Sequence, residues 1–101
     1  MTTEITRTDD LVTIILRGRL DTPSTPEVEE VITPLLADDS IKRMAIDCSE
    51  MSYITSSGLR IFVTMQKHFL RIGGQLTLLH LNPMVRSVFD MTGFSSIFTI
   101  E

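Results

Sequence analysis

Apolar residues along the chain come in alternating patterns, and those patterns predict strands and helices in turn. Leu11 to Arg19 carries Leu11, Val12, Ile14, Ile15 and Leu16, apolar on both faces, and reads as a buried strand. Glu4 to Arg7 before it is a weaker strand, with Asp9-Asp10 as the hairpin turn between them. Gly18-Arg19-Leu20-Asp21 leads into a turn rich in Thr, Ser and Pro. A helix follows, with Val28, Val31, Ile32, Leu35 and Leu36 on one stripe. Its start has two signals, a Ser24/Glu27 capping box and a Thr25 cap with Pro26 at the first helical position. Pro34 lacks an N–H inside that stripe, so a kink or an early fray is expected.

Met44 to Cys48 is a short apolar strand ending in Asp47, and Ser49 to Ile54 reads as a connection. Thr55-Ser56-Ser57-Gly58 then opens a long helix to Arg71. Its predicted apolar stripe is Leu59, Phe62, Val63, Gln66 and Leu70, with Arg60, Lys67 and Arg71 on the solvated side. The hydroxyls of Ser56 and Ser57 are candidate caps for its free N–H groups. Gly73-Gly74 stops it, Gln75 to His80 is a strand, Asn82-Pro83 starts a short helix ended by Gly93, and Ile97 to Ile100 is a last strand.

Strand alternating with helix implies an α/β fold: a mixed, mostly parallel sheet of about five strands, an N-terminal antiparallel edge hairpin, and helices packed on it. The 101 residues suffice for one domain, spanning 1–101. In such sheets sites form at the carboxyl ends of strands, and the Asp21 and Ser56 turns both follow strands. An anion would be welcome at the N-terminus of the Ser56 helix.

Composition narrows the function. A net charge of −4 argues against nucleic acid or an anionic membrane as partner. One cysteine, Cys48, in an apolar strand suits a reducing compartment. With neither a signal peptide nor an apolar run long enough for a membrane helix, the chain is expected in the cytoplasm. Enzymatic motifs are missing. Ile54 and Thr55 stand where a nucleophile elbow needs glycine. There is no Gly-Lys phosphate loop, and Ile54 occupies the place of a cysteine phosphatase's arginine. One cysteine and two scattered histidines make no zinc site. No catalytic residue, cofactor or metal is expected.

Three segments in register carry a resemblance. Asp47, Ser49 and Tyr53-Ile54 followed by Thr55-Ser56-Ser57-Gly58-Leu59, then Gly18-Arg19-Leu20-Asp21, and Phe89-Asp-Met-Thr-Gly-Phe94 resemble the three signatures of the STAS family, over essentially the whole chain. The resemblance is to its bacterial anti-sigma factor antagonists. It implies a protein that binds, unphosphorylated, an anti-sigma factor with serine kinase activity, so that a sigma factor is released. The kinase then modifies Ser56 and a serine phosphatase resets it. Asp21, Thr22, Thr55, Ser56, Ser57, Gly58 and Arg60 are the candidate partner-binding residues on that reading. The family's Asp is Thr55 here, which keeps a hydrogen-bonding group but loses the charge, and leaves Thr55 and Ser57 as rival acceptors. Two other roles compete: an unphosphorylated STAS scaffold in a transport or signalling complex, and a small-anion or nucleotide-binding domain using the Ser56 helix directly. Nothing in the sequence demands a dimer, and a monomer is expected.

Overall fold

The structure is a computed structural model that describes residues 1–101. Strands β1 (Thr2–Thr8) and β2 (Leu11–Leu20) form the expected antiparallel hairpin, with Thr8 opposite Leu11 and Thr2 opposite Arg17. Asp9 takes the left-handed backbone that a tight turn needs and that Asp tolerates (φ 56°). Helix α1 (Thr25–Leu36) is followed by β3 (Arg43–Asp47), β4 (Met51–Ile54), α2 (Ser56–Ile72), β5 (Gln75–Leu79) and α3 (Pro83–Met91). A single 3₁₀ turn, Phe94–Ser96, leads to β6 (Thr99–Ile100).

The strands form one sheet in the order β1-β2-β3-β5-β6, with β4 joined to β2, and every pair except β1–β2 is parallel. There are six strands, where about five were expected. The additional one is β4, within the stretch read as a connection; Met51 and Ile54 are buried while Ser52 is exposed. Four residues are too few for a period to register in the sequence. The last strand is shorter than expected, because Ile97 still belongs to the turn that follows Phe94.

Strand alternation decides which side is core. Val12, Ile14 and Leu16 of β2, Met44 and Ile46 of β3, and Leu76 and Leu78 of β5 point to one buried face and meet Val28, Ile32, Phe62, Met65, Phe69 and Phe89 of the helices. The other face has no helix over it. Thr13, Ala45, Thr77 and Thr99 stand side by side across it, small or hydroxyl-bearing residues that water tolerates.

Helix α2 buries Gly58, Leu59, Ile61, Phe62, Met65 and Phe69, a stripe rotated one residue from the expected Leu59, Phe62, Val63, Gln66 and Leu70. Leu70 is 71% exposed. Leu59 and Phe62 belong to both stripes, so the sequence pattern left a choice that packing on the sheet resolves. Arg60, Lys67 and Arg71 are exposed as expected. The helix ends at Gly73, whose left-handed backbone (φ 70°) lets its N–H return to Phe69 and Leu70 carbonyls. Pro34 sits in the last turn of α1, and the helix continues past it to Leu36, the end of its expected apolar stripe, so no early fray is seen. Ser24 is the residue before α1, but its side chain makes no capping bond to the helix; the capping box does not form.

Candidate functional site

The parallel pairing of Leu20 with Ile54 at the ends of β2 and β4 sends two loops out side by side. One is the Asp21 turn and the other is the start of α2. The chain is pinned there by Thr55, whose N–H donates to the Leu20 carbonyl at 3.0 Å. Its Oγ1 donates to the same carbonyl at 3.4 Å and accepts from Gly58 N–H at 3.5 Å. Thr55, with extended backbone, is therefore the N-cap of α2. Ser56 and Ser57 are the first two helical residues, not caps as expected. Tertiary anchoring to Leu20 chooses among three adjacent hydroxyls that are locally equivalent.

The three hydroxyls differ in what holds them. Thr55 is half-buried and engaged; Ser57 is half-buried, its Oγ 3.3 Å from Thr22 Oγ1. Ser56 is exposed and its hydroxyl makes no bond within the protein. Gly58, directly after Ser57, is buried because it must be: a Cβ there would lie 2.7 Å from Leu20 Cγ, 2.9 Å from Leu20 Cδ2 and 3.0 Å from Ile54 Cγ1. The absence of a side chain draws α2 onto the β2–β4 ends and presents Ser56 outward.

Asp21 is built into its own turn. Its Oδ1 accepts from Ser24 N–H at 3.2 Å and lies 3.0 Å from the buried Ser24 hydroxyl, and Asp21 N–H donates to that hydroxyl oxygen at 2.9 Å. Partial burial pushes the Asp21 carboxyl up, but the Ser24 hydrogen bonds and the Arg19 guanidinium together outweigh it and hold it below the usual carboxylate range. Arg19 lies 3.5 Å from Asp21 Oδ2 and 4.5 Å above the Tyr53 ring. The two turns meet through Thr22, which reaches Ser57, while the Asp21 carboxylate is taken up by Ser24 and Arg19 in its own turn.

Arg60 is exposed on the next turn of α2 and makes no side-chain hydrogen bond or ion pair. Each of the other six arginines has a partner: Asp38, Glu4 with Glu50, Asp21, Asp10, Asp90 or His68. Ser56 and Arg60 share a hollow of about 320 Å³ with Leu59, Val63, Thr92 and Phe94. Leu59, Val63, Thr92 and Phe94 were not among the candidate partner-binding residues. The signal that could have found Thr92 is the Phe89–Phe94 segment itself, which packs beside the α2 start. Met91, next to Thr92, is 86% exposed, whereas Met51 is fully buried.

Asp47 and Cys48 are taken up by the fold itself. Asp47 accepts from Ser49 N–H at 2.9 Å, a turn-forming role. Cys48 is fully buried, and burial pushes its thiol up to about 12. No three His, Cys, Asp or Glu side chains cluster as a metal site would require. No helix is long and apolar enough to cross a membrane.

The fold and this serine-bearing turn define the family: residues 2–101 match the STAS domain, and the chain belongs to that family. It is similar to the candidate anti-sigma factor antagonist BtrV of Bordetella bronchiseptica, at 30% identity over 91% of this chain and 78% of that protein. The anti-sigma-B factor antagonist of Staphylococcus aureus is 28% identical over 97% of this chain and 90% of its own length. Among solved structures, the anti-sigma factor antagonist SpoIIAA in its unphosphorylated form superposes with a TM-score of 0.85 at 21% identity, covering 99% of this chain and 88% of SpoIIAA. The phosphorylated form of SpoIIAA, from Bacillus, gives 0.78 at 20% identity over 99% and 91%. At that identity these structures speak for the fold alone.

Proposed function

We propose that this protein is an anti-sigma factor antagonist that works by partner switching in the cytoplasm, as a binding module and not an enzyme. Unphosphorylated, it binds an anti-sigma factor that is also a serine kinase, and a sigma factor is released. The kinase transfers the γ-phosphoryl group of ATP to Ser56. A bond forms between Ser56 Oγ and phosphorus, the bond from phosphorus to the β–γ bridging oxygen breaks to leave ADP, and the hydroxyl proton passes to a base of the kinase. A phosphatase restores the hydroxyl with water, releasing inorganic phosphate.

The observation that carries this reading is the inequality of the three hydroxyls. Ser56 alone is exposed and unbonded, while Thr55 and Ser57 are held within the protein. A phosphate on Ser56 adds about −1.5 to −2 charges in the first turn of a helix, where negative charge is tolerated. The domain therefore keeps its fold, and the change falls on a contact that had fitted a neutral hydroxyl. Thr55 in place of the family's aspartate favours a second reading, a scaffold that is never modified.

Phosphosite mapping by mass spectrometry, after incubation with ATP and the cognate anti-sigma kinase, separates the two. Phosphate on Ser56 that is lost in Ser56→Ala supports the switch. No phosphate on either protein, where a known antagonist is modified, would leave the scaffold.

A further inference from the structure

The switch reading leaves one feature of the site unused, the isolated guanidinium of Arg60. An arginine without a partner is the exception in this protein, since the other six are all engaged. It stands four residues after Ser56 on α2 and lines the same hollow. Residues at that spacing lie about 5–6 Å apart at Cβ, and an acidic group placed four positions before a basic one is the favourable order. Unmodified Ser56 gives Arg60 nothing to pair with. A phosphoserine gives it three acceptor oxygens in a geometry that a guanidinium meets with two parallel N–H donors.

We propose that phosphorylated Ser56 is held by Arg60. Modification then does two things to the contact face: it adds a dianion and withdraws the one free arginine. This inference rests on Ser56 being the acceptor.

Competitors for Arg60 are few. The first turn of α2 carries no acidic residue, and Thr55 supplies no carboxylate at the cap. Glu29 of α1 lines a neighbouring groove with Arg60, but the two form no ion pair. Asp21 in the facing turn is occupied by Ser24 and Arg19, and Asp90 of α3 is occupied by Arg86. Thr92 and Phe94, on the remaining side of the hollow, are uncharged.

The test needs no kinase. Phosphoserine is incorporated at position 56 during synthesis, and the second ionisation of the phosphate is followed by ³¹P NMR at low salt. Three proteins are compared: the otherwise unaltered chain, Arg60→Gln and Lys67→Gln. Lys67 is another exposed cation two turns further along the helix, so its removal controls for net charge. The pair requires the phosphate to titrate about 0.3 pH lower with Arg60 than without it, the shift expected of an exposed i,i+4 pair. It also requires Lys67→Gln to follow the unaltered chain. Identical titrations in all three, or equal displacement in both variants, would overturn it. Failure of the kinase to modify Ser56 would instead strike the switch and leave this measurement standing.

Discussion

Gly58 and Cys48 each make a claim that a single substitution or reagent can check. Gly58 is fixed by Leu20 and Ile54, so Gly58→Ala must push the start of α2 away from the sheet. Overpacking of that kind costs about 1–3 kcal/mol, to be read as a lower urea midpoint with an unchanged slope. That a glycine in the first turn lets the helix pack close to a neighbour was legible in the sequence; that the neighbours are Leu20 and Ile54 was not, because Leu20 lies on another strand. Cys48 binds its proton more tightly in the folded protein than in the unfolded chain, whose thiol titrates near 9. The stability it contributes is therefore complete below that range and is lost as pH rises toward 12. At pH 8 the native protein should resist a thiol reagent such as Ellman's, and react stoichiometrically once denatured. Rapid labelling of native protein would contradict the burial. The burial of Cys48 was legible from its apolar neighbours alone.

At the scale of elements, caps and pairings decide where helices begin. Asn82 Oδ1 accepts from Val85 N–H at 2.8 Å while its Nδ2 donates to the Met51 carbonyl at 2.5 Å, fastening α3 to β4. Asn82→Ala should cost about 1–2 kcal/mol in a denaturant melt. Thr55→Asp, which restores the family's carboxylate, places a charge at the positive end of α2 and should stabilise by about 0.3–1 kcal/mol. A lower melting temperature in that variant would mean that the Leu20 contacts of Thr55 outweigh its capping. Asn82-Pro83, Gly73-Gly74 and the hairpin at Asp9-Asp10 were legible in the sequence because each signal is local. The β4 strand and the rotation of the α2 stripe were not. Both are decided by contacts with distant strands, β4 by β2 and the stripe by the sheet beneath Phe62 and Met65.

The whole molecule is a one-sided sheet with its helices on a single face, and Ser56, the proposed acceptor, sits where β2 and β4 end together. Its placement followed from a rule of topology, that turns after parallel strands gather at one end. Topology alone does not distinguish Thr55, Ser56 and Ser57; the family resemblance pointed to Ser56, and the hydrogen bonds that engage Thr55 and Ser57 but not Ser56 were not legible in the sequence. Because the Ser56 hydroxyl is bonded to nothing within the protein, the proposed modification would change the surface and not the scaffold. The central claim is that this one hydroxyl governs partner binding. Calorimetric titration of the cognate anti-sigma kinase with the unmodified protein and with protein carrying phosphoserine at position 56 tests it most directly. The account predicts a loss of tenfold or more in affinity on modification, about 1.4 kcal/mol or greater, with thermal melts showing that both forms are folded. Equal affinities of the two folded forms would contradict it.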